Sequence, residues 1–109
     1  VAWFTFKQLC EDNRSTSEYI ELAIRFHTVL IEDIPSLNDD GNDATRRFIN
    51  LVDELYEKNV NVIISSQFTV NQYYTGRKLA ELFKRTESRL LEMSTSNYIS
   101  KPHLGAERD

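Results

Sequence analysis

The 109-residue chain is long enough for one small domain, and its 40% hydrophobic content is enough to form a core. No apolar run approaches the roughly 18 residues of a membrane-spanning helix, and a net charge of -4 argues against a general nucleic-acid binder. The single cysteine, Cys10, excludes an intramolecular disulfide, so we expect it to be a packing residue. Because the chain begins at Val1 and its only methionine is Met93, we expect it to be a piece of a longer, soluble protein.

The first predicted elements are a short strand over residues 1–4 and a short helix that ends near Cys10. Thr5 and Gln8 have the spacing of a capping box, which predicts where this helix begins. A second helix is predicted after the polar residues 11–17. Three aromatic residues of the first segment are predicted to lie in the core: Trp3, Phe4 and Phe6.

Residues 27–66 predict a strand, a crossover helix and a second strand. Short β-branched runs at 27–34 and 60–66 are typical of strands buried in a parallel sheet, and the amphipathic segment 43–59 connects them as a right-handed βαβ unit. The apolar face of this helix is predicted to consist of Phe48, Leu51, Val52 and Leu55. The predicted fold class is therefore α/β, a three-layer arrangement with a parallel βαβ core and flanking helices.

Polar residues follow both predicted strands where they end: Glu32 and Asp33 after the first, and Ser65 and Ser66 after the second. Open α/β sheets place ligands at the carboxyl ends of their strands. These four residues are therefore candidate cofactor-binding residues.

The loop at 37–42 is acidic, with Asp39 and Asp40 beside Gly41. It could hold a cation or be a solvated turn, and the second interpretation is favoured because the loop lacks the ligand spacing of a calcium site.

The last predicted helix runs from Arg77 to about Ser94, and Arg89 lies on the margin of its apolar stripe, with Arg85 further round. An arginine in that position needs an anionic partner. The partner could be Glu32 or Asp33, which would make a structural ion pair, or a phosphate on another domain or subunit. The apolar stripe is predicted to consist of Leu79, Leu82, Phe83, Thr86, Leu90 and Met93.

Leu91 lies opposite this stripe, and we expect it to have contacted a part of the protein outside this chain. The predicted division of the chain is an α/β region over residues 1–95 and a loosely ordered tail over residues 96–109, which contain Pro102 and Gly105.

Several kinds of chemistry have no motif in this sequence. The glycines are Gly41, Gly76 and Gly105, so there is no phosphate-binding loop, and we expect no ATP hydrolysis by these residues alone. His27 and His103 lack partner ligands at metal-binding spacing, and no serine elbow surrounds Ser65. The residues alone therefore predict an α/β module with a polar sheet edge and an arginine-bearing helix, and they name no reaction.

The sequence nevertheless resembles the C-terminal part of the ZapE cell-division ATPases and their mitochondrial relatives, the AFG-type, lactation-elevated ATPases. The resemblance covers nearly the whole chain. Its motifs are WFTFKQLC at 3–10, RFHTVLI at 25–31, DIP at 33–35, ATRRFINLVDELY at 44–56, VNVIIS at 60–65 and RTESRLLEM at 85–93.

This resemblance implies an AAA+-like P-loop ATPase whose Walker A and main Walker B segments lie outside this chain. Glu32 and Asp33 would then correspond to Walker acids, and Ser65 and Ser66 to a sensor. Arg89 would be the catalytic arginine finger, with Arg85 in reserve. The two acids stand in reversed order and follow no phosphate loop, so they carry no catalytic assignment.

The resemblance also implies ATP and Mg²⁺ as cofactors of the full-length protein, assembly with its own ATPase domain, and a homo-oligomer. The expected place is the bacterial cytoplasm, where the protein would remodel the division ring and contact its tubulin homologue. The alternative is a mitochondrial protein with a peripheral membrane-protein client. A second class of function, a module that docks a client without a role in hydrolysis, also remains open.

Overall fold

The computed structural model describes residues 1–12 and 14–105. The described residues form three strands and four α-helices, with short π-helical and 3-10 turns between them. These elements are β1 (Ala2–Thr5), α1 (Thr16–Arg25), β2 (Thr28–Glu32), α2 (Asn42–Glu57), β3 (Asn61–Ser65), α3 (Ala80–Met93) and α4 (Ser96–Ile99).

The strands form a parallel sheet in the order β1-β2-β3. The predicted βαβ unit is confirmed: β2 and β3 are parallel neighbours and α2 connects them. Asn59 ends the connection with a left-handed φ of 56°, a conformation that asparagine adopts more readily than most residues. The α/β class and the flanking helices are therefore as predicted.

The core lies between the sheet and α2, because the apolar face of α2 is completely buried. The predicted face residues are 0–1% exposed: Phe48, Leu51, Val52 and Leu55. The Phe48 ring packs on Phe6, 5.6 Å away between centroids, and on Phe83 of α3, 6.2 Å away. Cys10 is also fully buried, and burial raises the pKa of its thiol to about 12, which agrees with a packing role.

The helices lie along one face of the sheet. Phe4 of β1 shares a groove with Leu22 of α1, Val62 of β3 shares one with Leu90 of α3, and α2 contacts both α1 and α3. The described residues thus form two of the three layers expected for this class of fold.

Two core predictions were wrong, each for its own reason. Trp3 is 66% exposed, because Ala2 and Phe4 point towards the helices and the strand alternation turns Trp3 to the opposite face. Leu82 is 38% exposed, whereas Phe83 beside it is buried, so the buried stripe of α3 is narrower than its sequence pattern indicates.

The prediction of a loose tail is corrected for residues 96–105. Helix α4 brings Tyr98 to 1% exposure, and its hydroxyl donates a 2.9 Å hydrogen bond to the carbonyl oxygen of Val60. The Nε2 atom of His103 lies 2.7 Å from the carbonyl oxygen of Ala23, and the Leu104 amide donates a 2.9 Å hydrogen bond to the carbonyl oxygen of Lys58. A buried tyrosine needs such a partner, so this segment is fixed to the domain. The remaining predicted tail, 106–109, lies outside the described residues.

Candidate functional site

The carboxyl edge of the sheet brings together two of the predicted binding residues. Glu32 and Ser65 are register partners in neighbouring strands, and Thr5 of β1 is the partner of Glu32 on its other side. Their side chains lie on the sheet face opposite the helices. A carboxylate and two hydroxyl groups therefore form one polar row at the end of the sheet.

Asp33 directly follows Glu32, and Ser66 directly follows Ser65, but neither extends this polar row. Asp33 adopts a left-handed φ of 61° while its amide donates a 2.8 Å hydrogen bond to the Ser65 carbonyl, so its side chain is exposed beyond the edge. The Ser66 hydroxyl donates to the Ile34 carbonyl at 2.6 Å and accepts the Phe68 amide at 3.1 Å. Ser66 therefore shapes the loop after β3.

This edge does not by itself fit a nucleotide with its metal ion. Carboxylate and hydroxyl oxygens are suitable magnesium ligands. Within residues 1–12 and 14–105, however, no cluster of three or more His, Cys, Asp or Glu residues is placed to hold a metal ion. The sequence also contains no glycine-rich loop that could surround phosphates.

The two candidate arginines of α3 both bind Asp53 on α2. Arg85 donates to one carboxylate oxygen at 3.0 Å, and Arg89 donates to the other. The Arg89 guanidinium also lies 4.7 Å above the centre of the Tyr56 ring, a cation–π contact. The Arg89 side chain is 22% exposed and that of Arg85 is 55% exposed.

Of the partners considered for Arg89, the structure shows an ion pair within the chain, but its carboxylate belongs to Asp53 and not to Glu32 or Asp33. Helix α3 runs alongside α2, and Asp53 lies about three turns along α2 from its start near the carboxyl edge. Within this chain the arginines and the polar edge are separate sites. The sequence indicates that the two arginines can share one carboxylate, because they are four residues apart on one helix, but it does not identify Asp53 as that carboxylate.

Tyr56 is itself held in place beneath Arg89. Its hydroxyl is 2.9 Å from both carboxylate oxygens of Glu92, and this hydrogen bond is the main reason that the pKa of Tyr56 is raised. The Asp53 carboxylate and the Tyr56 ring, which Glu92 holds in place, together fix the Arg89 side chain in one orientation.

Asp39, in the acidic loop, anchors the segment that leads into α3. Its carboxylate accepts the amides of Arg77 and Lys78 at 3.1 Å and the Tyr74 hydroxyl at 2.9 Å. A Cβ on Gly76 would lie 2.7 Å from this carboxylate, so the loop closes around a glycine. The loop is exposed at residues 38–40, as the favoured interpretation of a solvated turn predicts. Sequence reasoning nevertheless missed the anchoring role of Asp39, because its partners are far along the chain.

Asp39→Ala is expected to lower the melting temperature at neutral pH, with Asp40→Ala as the neighbouring exposed control. The amides of Lys78 and Arg77 and the Tyr74 hydroxyl hold the pKa of Asp39 below its ordinary value. A lowered folded-state pKa gives stability above the unfolded pKa of about 3.9, and this stability is lost as the pH falls through the folded-state pKa.

Thermal melts across a pH series measure this effect. The difference between the wild-type chain and Asp39→Ala should be constant from about pH 5 to 7 and should shrink below about pH 4. A difference that persists unchanged at low pH would show that the carboxylate charge is not the source of the stability.

Comparison with known proteins shows which family the chain matches. The model of the AFG1-like ATPase family matches residues 1–102. The chain belongs to this family. It is 40% identical to the cell division protein ZapE of Escherichia coli K12 over 100 residues. These residues are 92% of this chain and 27% of ZapE.

Two other relatives come from eukaryotes. An uncharacterized protein of Schizosaccharomyces pombe is 42% identical over 74 residues, covering 68% of this chain and 16% of that protein. Lactation elevated protein 1 homolog B of Danio rerio is 29% identical over 130 residues, covering 90% of this chain and 26% of that protein. No solved structure matches the chain.

The family resemblance expected from the sequence is thereby confirmed. This chain spans about a quarter of the length of the E. coli and zebrafish relatives. None of the described helices is long and apolar enough to cross a membrane.

Proposed function

We propose that this chain is part of an ATP-hydrolysing, AAA+-like ATPase and that Arg89 is presented to nucleotide held by a neighbouring subunit, with Arg85 as a second cation. Membership of the AFG1-like ATPase family supports the reaction class. The observation that carries the proposal for Arg89 is its fixed orientation on α3, between Asp53 and the Tyr56 ring.

The charge of this group supports an anionic partner. Arg85 and Arg89 share the carboxylate of Asp53, so the three side chains have an excess positive charge. Each guanidinium has five N–H donors, and the pair with Asp53 uses one donor of each arginine. Donors thus remain for phosphate oxygens, and an arginine placed there stabilises the charge that develops during phosphoryl transfer.

The polar edge has a subordinate part in this proposal. Glu32, Asp33 and Ser65 lie where open α/β sheets bind ligands, but they form no cradle for phosphates. ATP and Mg²⁺ would be held mainly by the family polypeptide outside these residues, and the 109 residues alone should not hydrolyse ATP.

The proposed setting follows the E. coli relative, whose name assigns it to cell division. We place the protein in the cytoplasm, as a homo-oligomer that acts on the division ring through its tubulin homologue. The alternative, implied by the resemblance to the mitochondrial members of the family, is a mitochondrial location with a peripheral membrane-protein client. No nucleic acid is expected as a partner.

The test is the ATP hydrolysis rate of a family-length polypeptide that carries this chain with Arg89→Ala. A large loss of rate, beyond what the loss of the Asp53 ion pair explains, supports the proposal. Near-normal hydrolysis with a lowered melting temperature would make Arg89 a structural ion-pair residue.

A second candidate function, docking of a client protein, is favoured by one surface feature. Leu91 of α3 is 59% exposed and borders a groove of about 270 Å³ that also contains Val62, Ile64 and Leu90. An exposed leucine beside an apolar groove is typical of an interaction site. Leu91→Asp that spares hydrolysis but abolishes client binding would support this function.

A further inference from the structure

Strand β3 lies at one edge of the sheet formed by residues 1–12 and 14–105, because the strand order is β1-β2-β3. The Asn61 amide donates a 2.8 Å hydrogen bond to the carbonyl oxygen of His27, just before β2, and the Ser65 carbonyl accepts a bond from the residue after β2. Alternate residues of a paired strand direct their backbone groups to opposite sides. The amide and carbonyl groups of Val62 and Ile64 therefore point away from β2, towards the free edge.

The side chains of the same two residues line the apolar groove that Leu91 of α3 borders. This groove of about 270 Å³ is smaller than the cavities of about 300–1,000 Å³ that hold drug-sized ligands, so it suits a few side chains of a partner. Its other lining residues are uncharged: Val70, Tyr73, Leu90, Met93 and Ser94. Free backbone groups and an apolar groove thus lie side by side at Val62 and Ile64.

The edge of β3 also lacks the protection that edge strands usually have. Natural proteins place charged residues, proline or bulges on such strands, because unpaired backbone groups can pair with another chain. The strand Asn61–Ser65 contains no charged residue and no proline, and its register with β2 is uninterrupted. The groove beside β1, at the opposite edge, is by contrast bordered by four charged residues: Arg14, Glu18, Glu21 and Arg25. The β3 edge is therefore open to an extended chain.

We propose that a client protein binds here by adding an extended segment to β3 as a further strand. The backbone of this segment bonds to the free groups of Val62 and Ile64, and its alternate side chains, about 6.6 Å apart, lie in the groove against Leu91. The segment has apolar residues at alternate positions and no proline where it pairs. The inference rests on the client-docking function proposed for the Leu91 groove, and it does not depend on Arg89.

A phage-displayed library of random short peptides is the probe for this site. Peptides are selected on the 109-residue chain and then compared on Leu91→Asp and Leu82→Asp. Leu82 is the matched control, because it is an exposed leucine of α3 that does not line the groove. The selected peptides should have alternating apolar residues, and Leu91→Asp alone should weaken their binding by about tenfold or more, because it places a carboxylate beside their apolar side chains. Peptides with helical three-and-four spacing, or no binders at all, would overturn the proposal.

Amide hydrogen exchange of the complex, measured by NMR, tests the pairing itself. With a selected peptide at about ten times its dissociation constant, the amides of Val62 and Ile64 should exchange roughly tenfold more slowly than in the free chain. The amide of Ile63, which points towards β2, should not change. Binding that depends on Leu91 but leaves Val62 and Ile64 unprotected would overturn strand addition and leave client docking standing. Equal binding to Leu91→Asp and Leu82→Asp would remove the support for both.

The same two amides distinguish the other possible occupants of the edge. If Val62 and Ile64 are already protected in a family-length polypeptide without peptide, a segment of that polypeptide occupies the edge, and the proposal is wrong. Protection that increases with the concentration of the 109-residue chain alone would also refute it, because the occupant would then be a second copy. Rapid exchange in both proteins, slowed only by the peptide, is the expected result.

Discussion

Arg89→Ala in a family-length polypeptide is expected to lower the ATP hydrolysis rate by roughly a hundredfold or more, because arginine fingers contribute several orders of magnitude to phosphoryl transfer. The substitution also removes the ion pair with Asp53 and the cation–π contact with Tyr56. For a pair that is partly buried we expect a loss of about 1–2 kcal/mol in the free energy of unfolding. A lowered melting temperature therefore does not separate the two interpretations of Arg89.

Asp53→Asn provides the control that separates them. It removes the carboxylate that pairs with Arg89 and leaves the arginine in place, so its effect on stability should be similar. Arg85→Ala removes a more exposed bond to the same carboxylate. Steady-state hydrolysis per folded molecule should fall far more in Arg89→Ala than in either control. Equal losses in Arg89→Ala and Asp53→Asn would show that hydrolysis depends on the ion pair itself, and a separate contact of Arg89 with nucleotide would then have no support.

The central part of the fold could be predicted because its signals are local. The β-branched runs around β2 and β3 and the helical spacing of Phe48, Leu51 and Leu55 each specify an element, and a helix between two buried strands requires parallel pairing. Each local preference agrees with the final packing. The carboxyl edge followed from the same pattern, and Glu32 and Ser65 are indeed neighbours there.

The errors concern contacts between residues that are distant in the sequence. The partner of Arg89 is Asp53, 36 residues earlier, and nothing in either local pattern shows that α3 lies beside that part of α2. Tyr98 contacts Val60, 38 residues earlier. The polar composition of the segment that contains Tyr98 is typical of a loose tail and gave no sign of this contact. Periodicity predicts which side of an element is apolar, but it does not identify the element that this side contacts.

Trp3 illustrates a further limit. Its size and hydrophobicity favour burial, and the structure exposes 66% of it on a sheet face that no described helix covers. Hydrophobicity alone does not decide burial, because apolar atoms also make up much of the surface of folded proteins. The alternation of β1 decides instead, because it turns Trp3 away from the face that packs on the helices.

Phe48→Ala is expected to lower the free energy of unfolding by about 3–5 kcal/mol, because it removes a fully buried aromatic ring from a close-packed core. The ring joins three parts of the domain, since it contacts Phe6 before the first helical turn and Phe83 of α3 as well as its own helix. Small domains have total stabilities of about 5–15 kcal/mol, so this loss is a large fraction of the total. Urea unfolding of the 109-residue chain measures it as a shift in midpoint.

Arg46→Ala is the matched control, because Arg46 is exposed on the same helix and its truncation should change stability by less than about 0.5 kcal/mol. If Phe48→Ala instead shifted the midpoint no more than Arg46→Ala does, α2 could not pack on the sheet and against α3 as described. The positions of Asp53 and Tyr56 depend on that packing, because both lie on α2 within three turns of Phe48 and meet α3 only if α2 is held there. A stable core around Phe48 is therefore the physical condition for a fixed Arg89, whichever of its two roles the hydrolysis measurements assign.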